Sequence, residues 1–156
     1  MNKNTIKTSV ITIIIVVTIT IVKLFVIDVA RVDGNSMNPT LKNNDFLIFS
    51  KINNKYKRFD IVILKVNSKY FIKRIIGLEG EKIKYIDNKL FINEELVNED
   101  FVLSNTSDFS LKEISPYDII PNDMFLVLGD NREDSYDSRN YGLISINDIG
   151  GKILFK

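Results

Sequence analysis

The most regular pattern in this chain is a long apolar run near its N-terminus. Fifteen uncharged residues, nearly all Ile, Val or Thr, separate Lys7 from Lys23, and the run reaches twenty residues when it is counted over residues 8–27. A helix of that length spans about 30 Å, the thickness of the hydrocarbon core of a bilayer. Near the end of the run, the long side chain of Lys23 can reach the headgroups. The pattern therefore predicts one membrane-spanning helix over residues 8–27.

A signal peptide that is cut away is the main alternative, because its apolar core can have a similar length. The only alanine of the chain is Ala30, and the small-residue position two before it is occupied by Asp28. No Ala-x-Ala cleavage site therefore follows the run, and we interpret it as a permanent anchor.

The charges beside the run predict its orientation. Lys3 and Lys7 precede it without any acid, whereas the residues that follow it, beginning with Asp28, are mixed in charge. Positively charged flanks stay in the cytoplasm. We expect residues 1–7 to form a cytoplasmic tail and residues 28–156 to form an extracytoplasmic domain, in a protein that crosses the cell membrane once.

Beyond residue 45, short apolar stretches rich in β-branched and aromatic residues alternate with clusters of Asn, Asp, Gly and Lys. Stretches of this kind between turn-forming residues predict an antiparallel β-domain. The predicted strands cover residues 46–49, 61–66, 70–76, 83–86, 90–92, 124–128 and 153–155. Two of them form a hairpin around Asp87 and Asn88, and the polar segment 98–118 is expected to be a surface excursion. The fold class is therefore mainly β, with one unit of about 125 residues behind the helix.

Composition narrows the chemistry. The chain of 156 residues has 21 basic and 20 acidic residues, so its net charge of +1 creates no basic field and we expect no nucleic-acid partner. It contains neither Cys nor His, which excludes disulfides, thiolate nucleophiles, zinc fingers and a Ser-His-Asp triad. If the protein is a hydrolase, its general base must be a carboxylate, a Tyr or a Lys held neutral by its surroundings.

A turn-rich segment shortly after the apolar run contains the first candidate residue, Ser36. The segment matches half of the Gly-x-Ser-x-Gly nucleophile elbow, because Gly34 is present but Asn38 replaces the second glycine. No Ser in the chain has a Lys three residues later, so a Ser-x-x-Lys arrangement is absent as well. Ser36 is either an ordinary loop residue or a nucleophile that needs a distant Lys.

The second candidate is Lys73, which precedes Arg74 in a predicted strand. Neighbouring side chains of a strand point to opposite faces, so we expect one cation to face solvent and the other to pack against apolar residues. Burial lowers the pKa of a Lys and makes it usable as a base near neutral pH. The alternative is that both cations lie on a solvated strand edge.

The third candidate is the polar segment of residues 129–142. Its acids suggest a calcium loop, but Arg132 stands at a ligand position and Ser135 replaces the required Gly, so the EF-hand pattern fails. The segment is long and elaborate for a plain turn. We expect it to be a scaffold that holds catalytic side chains in place.

Together these segments resemble the bacterial Ser-Lys branch of the type I signal peptidases, the leader peptidase family. The motifs follow the family's order. A membrane helix is followed by a Ser-Met-x-Pro-Thr-Leu box at Ser36 and an Asp-Ile-Val box at Asp60. A Lys-Arg-Ile-Ile-Gly box at Lys73 and a Gly-Asp-Asn-Arg…Ser-x-Asp-Ser-Arg box over residues 129–139 come next. The resemblance implies an antiparallel β-sheet domain of the signal-peptidase type behind one transmembrane helix. It implies a membrane-bound serine endopeptidase that cleaves N-terminal signal peptides from exported preproteins, without metal or cofactor.

The resemblance also implies a role for each matched residue. Ser36 is the nucleophile, Lys73 is the general base, and the hydroxyl of Ser135 orients the lysine amine. Asp137 and Arg139 form an ion pair that supports the loop around Ser135.

Substrate recognition follows from the same resemblance. The substrate lies as an extended strand beside the strand that ends at Lys73. Val32, Leu47, Ile63 and Ile72 are the expected walls of shallow apolar pockets, with plain core positions as the alternative. The implied partners are secretory preproteins with small residues before the cut, the lipid bilayer and the surroundings of the protein-export translocon.

Two positions depart from the family pattern. After Gly77 the chain reads Leu78-Glu79-Gly80 without the proline that the family usually carries there, and we expect little cost from this change. The other departure concerns the oxyanion. Some members carry a Ser two residues before the nucleophile, and its hydroxyl helps to bind the oxyanion, whereas this chain has Gly34 there. The oxyanion hole is therefore expected to use backbone donors such as the N–H of Ser36, unless water or another side chain contributes.

Two other functions stay open at the level of sequence. A Ser-Lys autoprotease of the SOS-repressor type would cut its own Ala-Gly or Cys-Gly bond, but this chain contains neither dipeptide and carries an apolar anchor. A non-catalytic β-module, tethered to the membrane and binding exported chains, would work equally well without the hydroxyl of Ser36.

Overall fold

A single long helix precedes a body of short strands in the computed structural model, which describes residues 3–52, 55–66 and 68–156 and the side chains from residue 7 onward. The elements in chain order are α1 (Lys3–Phe25), β1 (Ile27–Arg31), β2 (Phe46–Ser50), β3 (Ile61–Val66), β4 (Lys69–Gly77), β5 (Ile83–Ile86), β6 (Lys89–Ile92), β7 (Glu95–Val97), β8 (Phe109–Ser110), α2 (Leu111–Ile114), β9 (Met124–Leu128), α3 (Ser138–Tyr141), β10 (Ile144–Ser145) and β11 (Ile149–Phe155). Two 3₁₀ turns, Arg132–Asp134 and Ile146–Asp148, complete the described structure.

Helix α1 contains the predicted apolar run. Its segment Lys7–Phe25 has a mean hydropathy of 2.4 and is exposed along its length, so it is long and apolar enough to cross a membrane. The predicted helix end at Ile27 is wrong by two residues, because Ile27 already pairs with Ser50 in the first sheet. The first two residues of the predicted cytoplasmic tail lie outside the described residues, and the rest of the tail is helical.

The junction between α1 and β1 is a single residue, Val26, and it is held by Lys51. The backbone N–H of Lys51 donates to the carbonyl of Val26 at 2.8 Å. Its ammonium group donates to the last carbonyls of the helix at 3.3 and 3.4 Å and pairs with Asp28 at 2.8 Å. A cation at the C-terminus of a helix satisfies carbonyls that have no partner within the helix. The end of α1 is therefore joined directly to the first sheet.

The strands form two sheets, and the prediction of a mainly antiparallel β-domain is confirmed. One sheet has seven strands in the order β1-β2-β11-β3-β4-β9-β10, and the other has four in the order β7-β6-β5-β8. The predicted hairpin is β5 and β6, and Asp87 and Asn88 both have positive φ, at 48° and 63°. Two residues in that conformation match the right-handed twist of the flanking strands.

The polar segment 98–118 is more deeply built into the fold than predicted. It contains β8 and α2, and Phe109 and Leu111 are buried in the apolar cluster that joins the two sheets. Thr106 is buried as well, where its hydroxyl accepts a hydrogen bond from Arg132. The expectation of a surface excursion is wrong because part of this burial is polar, and polar burial leaves no hydrophobic periodicity in the sequence.

Candidate active site

Ser36 and Lys73 lie in direct contact, although 37 residues separate them in the chain. The ammonium Nζ of Lys73 donates to Oγ of Ser36 at 2.8 Å. Lys73 is the fifth residue of β4, and its side chain is only 2% exposed. The loop of Ser36 is held by the buried side chain of Met37 and by Asn131, whose N–H donates to the carbonyl of Ser36 at 3.0 Å.

Burial gives the amine of Lys73 the acidity that a base near neutral pH needs. Desolvation lowers the pKa of Lys73 from 10.5 to about 8, although the nearby carboxylates of Asp137, Asp130 and Asp134 oppose this shift and Arg139 adds to it. A Lys with a pKa of about 8 is partly neutral in mildly alkaline solution. Its Nζ can then accept a proton from the hydroxyl that it contacts.

Arg74 points to the opposite face of β4 and is also buried, so the expectation that one of the two cations faces solvent is wrong. Its guanidinium pairs with both carboxylate oxygens of Asp130, at 2.8 and 2.5 Å, and donates to the carbonyl of Phe59. A buried cation is stable when a paired carboxylate and further acceptors surround it. The sequence offered no means of seeing that Asp130, 56 residues later, is that partner.

Ser135 lies near Ser36 but makes no hydrogen bond to the amine of Lys73 in this structure. Its Oγ is buried and has no hydrogen-bond partner among the described residues. The hydroxyl packs against Gly129, where an added Cβ would overlap both Ser135 and the carbonyl oxygen of Ser36. The role of Ser135 in orienting Lys73 therefore stays a prediction.

Asp137 and Arg139 form a two-pronged ion pair at the base of the same loop. Two guanidinium nitrogens of Arg139 donate to the two oxygens of Asp137, each at 2.8 Å. The fully buried carboxylate of Asp137 also accepts from the N–H of Gly129 at 3.0 Å. This pair ties the residue after β9 to the start of α3.

A cleft of about 780 Å³ opens beside Ser36 and Lys73. Three of the predicted pocket residues, Val32, Ile63 and Ile72, line it. Leu47 does not, because it is fully buried in the apolar cluster that also contains Val32.

One side of β4 is only half paired. Strand β9 pairs with β4 from Arg74 to Gly77, whereas β3 pairs with it from Lys69 to Arg74 on the other side. Among the described residues, 3–52, 55–66 and 68–156, no strand pairs with the first half of β4 on the side of β9. The free N–H and C=O groups of this edge end at Lys73 and can accept an extended peptide.

The described residues do not suggest a metal centre. No group of three or more acidic side chains among them is arranged to hold a metal ion. The two buried acids nearest to Lys73, Asp130 and Asp137, are instead paired with arginines.

Two residues near the site were not singled out by sequence reasoning. Glu99 and Tyr85 both contact the buried Arg132 of the segment 129–142. Glu99 lies in a polar segment without periodicity, and Tyr85 resembles any other core residue of a strand. Neither carries a local signal that could have revealed the contact.

Comparisons with known proteins agree on one family. The family model described as signal peptidase, peptidase S26, matches residues 3–156. Signal peptidase I of Bacillus caldolyticus is 37% identical over 147 residues, which cover 86% of this chain and 81% of that protein. Signal peptidase I V of Bacillus subtilis (strain 168) is 41% identical over 136 residues, which cover 79% of this chain and 81% of that protein. A crystal structure of a signal peptidase I from Enterococcus faecalis V583 has a TM-score of 0.61 and 35% identity, and the match covers 65% of this chain and 98% of that one.

Proposed function

Because this chain belongs to the signal peptidase family, peptidase S26, and is therefore a signal-peptide-cleaving serine endopeptidase, we propose that Ser36 and Lys73 are its catalytic dyad. The observation that carries this proposal is the 2.8 Å contact between Nζ of a buried Lys73 and Oγ of Ser36. The family implies exported preproteins as substrates.

The proposed reaction begins with Lys73 in its neutral form. As Oγ of Ser36 attacks the scissile carbonyl, its proton passes to Nζ, and the resulting ammonium gives that proton to the departing amine. The acyl-enzyme is then hydrolysed by a water molecule that Lys73 deprotonates, and the ammonium returns this proton to the departing Oγ of Ser36. Burial supports each step because it keeps the pKa of Lys73 near 8, so that both protonation states are accessible.

The oxyanion of each tetrahedral intermediate needs donors close to Ser36. Gly34 offers no side chain and has a φ of 99°, a conformation that favours glycine. We propose that the backbone N–H of Ser36 is one donor of the oxyanion hole.

The substrate is proposed to extend the sheet along the half-free edge of β4. Backbone hydrogen bonds to Lys69–Lys73 would hold it extended, with alternate side chains facing the cleft. Val32, Ile63 and Ile72 would form the walls of shallow pockets for the residues one and three before the cut. Leu47 would support Val32 from within the same apolar cluster.

This arrangement predicts the specificity of cleavage. Small side chains such as Ala should be accepted one and three residues before the cut, whereas Leu, Phe or Arg at the first position should lower kcat/KM by about a hundredfold or more through steric or desolvation cost. A peptide library analysed by mass spectrometry measures this preference. A preference for Arg, Lys or aromatic residues at the first position would contradict the proposed pockets.

Helix α1 is proposed to anchor the enzyme as a single span, with the N-terminus in the cytoplasm and the catalytic domain outside, close to the export translocon. The exposed apolar sides of Lys7–Phe25 and the basic residues before it support this topology. An external protease added to intact spheroplasts should degrade the domain after α1 and spare a tag fused before Lys3. Protection of the domain from the added protease would mean that the orientation is the opposite of the proposed one.

The proposed function is tested by the mass of a reporter preprotein after incubation with full-length enzyme in lipid vesicles. Wild type should release the signal peptide and leave a product with one defined N-terminus, and Ser36→Ala should release nothing. If both proteins bind the preprotein and neither cleaves it, the chain acts as a tethered binding module instead.

Gly129→Ala offers a test of the packing around the dyad. The added methyl group would overlap Ser135 and the carbonyl oxygen of Ser36. Because displacement of a nucleophile by about 1 Å can cost a hundredfold, we expect kcat to fall by roughly ten- to a hundredfold. The matched control is Gly77→Ala, where the new methyl would overlap the side chains of Ile120 and Ile83 outside the cleft, so that stability should fall and kcat should be kept. Equal activity of the two variants would contradict the close packing.

A further inference from the structure

The buried Arg132 of the catalytic loop is held by a residue that lies outside every family motif. Arg132 is 2% exposed, and Glu99 accepts from its two terminal nitrogens at 2.6 and 3.4 Å. The hydroxyl of Tyr85 lies 3.0 Å from the same guanidinium and donates to both carboxylate oxygens of Glu99, at 3.0 and 2.9 Å. Thr106 accepts at 2.9 Å. Glu99 therefore supplies the negative charge that compensates this cation.

Arg132 in turn holds both sides of the loop that surrounds Lys73. Its Nε donates to the carbonyl of Gly129 at 2.9 Å, and its own carbonyl accepts from Arg139 at 2.7 Å. Arg139 pairs with Asp137, which accepts from the N–H of Gly129. The bonds to Gly129 and Arg139 need Arg132 to stay in its present position, and through them Arg132 is linked to the pair of Asp137 and Arg139.

The segment that carries Glu99 makes a second contact close to Lys73. Two residues later, the ring of Phe101 lies 3.9 Å from the guanidinium carbon of Arg74 and 5.0 Å from the ring of Phe59. Arg74 is the neighbour of Lys73 in β4. The segment therefore touches the supports of the dyad at two independent points.

We propose that Glu99 is a positioning residue for catalysis, which holds the loop of residues 129–139 against Lys73 through Arg132. This inference rests on the proposed dyad and names a support for it that the motifs do not contain. Without the carboxylate, Arg132 would be a buried cation without its partner, which is strongly unfavourable, so the guanidinium would turn toward water and release the loop. Water would then reach Lys73.

The test compares two full-length variants in detergent micelles on a peptide with small residues before the cut. Glu99→Gln keeps the shape of the side chain and removes its charge. We expect kcat to fall roughly tenfold or more, with KM within about twofold of wild type, because the geometry of the reacting groups changes and the substrate edge does not. The acid limb of kcat/KM should also move to higher pH, because hydration raises the pKa of Lys73 toward its ordinary value. The charged groups that face the amine are Asp130, Asp134, Asp137 and Arg139.

Glu81→Gln is the matched control. Glu81 also pairs with an arginine through both oxygens, at 3.0 and 2.5 Å from Arg58, but it does not contact the loop. It should lose stability and keep the wild-type kcat and pH limb. If Glu99→Gln is unfolded at the assay temperature, Tyr85→Phe, which removes one hydroxyl from the same group of contacts, should show both changes to a smaller extent.

The outcomes distinguish the positioning role of Glu99 from the proposed function. A folded Glu99→Gln or Tyr85→Phe variant with the wild-type kcat and acid limb overturns the positioning role. The same holds if Glu81→Gln changes both quantities equally, since the effect would then be general loss of stability. Failure of wild type to cleave the peptide would instead contradict the proposed function.

Discussion

Replacement of either Ser36 or Lys73 by alanine is expected to abolish cleavage, and replacement of both should cost no more than replacement of one. In the proposed dyad the two residues act as one unit, because the hydroxyl is a poor nucleophile without the amine and the amine has no proton to accept without the hydroxyl. For groups that act together, single and double variants lose similar activity, roughly a thousandfold or more. The 2.8 Å contact between them makes this the largest expected effect on activity.

The measurement is the rate of product formation by the two single variants and the double variant. Ser107→Ala and Lys84→Ala are suitable controls, because both residues are exposed and lie away from the cleft. Losses in the two single variants that add up in the double variant would mean that the residues act independently. Retained cleavage in either single variant would contradict the assignment of Ser36 and Lys73 as a catalytic dyad.

Lys73→Met is expected to be inactive but more stable than wild type at pH 7. The fold lowers the pKa of Lys73 from 10.5 to about 8, mainly by desolvation. That difference corresponds to about 3 kcal/mol that favours unfolding while the amine is charged. Loss of the hydrogen bond to Ser36 offsets about 1 kcal/mol, so a net gain of about 2 kcal/mol is expected for a side chain of similar shape without charge.

The sign of the pH dependence follows from the lowered pKa. The cost of the charged amine is fully present below the folded pKa of about 8 and disappears as the pH rises toward the unfolded value of 10.5. The advantage of Lys73→Met should therefore be largest at pH 7 and nearly absent at pH 10. Denaturant unfolding of both proteins at the two pH values measures it, and Lys84→Met, which removes an exposed cation, should show no such trend. A Lys73→Met variant that is less stable at pH 7 would mean that the amine is well solvated.

Much of the sheet could be predicted from sequence, because β9 is entirely apolar and β3 is apolar except for Lys65. Strand β1 could not, because Asp28 and Arg31 break its pattern and its first residue continues the apolar run of α1. Its identity depends on pairing with β2, which is a tertiary event. For the same reason α1 ends at Phe25 and not at the predicted Ile27, because Ile27 pairs with β2.

The candidate site shows a similar division. The family motifs identified Ser36 and Lys73 as candidates. The structure adds the contact between them and the burial of Lys73, which explains how a lysine could serve as a base. The buried partners of the arginines were out of reach, because Glu99 lies 33 residues from Arg132 and a pairing at that separation leaves no local pattern. Polar burial of this kind depends on which loops meet in three dimensions.

The one-residue junction at Val26 has a consequence for how enzyme and substrate meet. Asp28, which lines the cleft, follows the end of α1 by three residues, and Lys51 fastens this corner. If α1 spans the bilayer as proposed, the domain has little freedom to tilt or rise, and the cleft stays at one height above the lipid. A preprotein that is still anchored in the bilayer by its apolar signal segment then reaches the enzyme by lateral diffusion in the membrane plane. Its cleavage site already lies at the height of the cleft. Freely dissolved peptides must find the same cleft in three dimensions without that alignment.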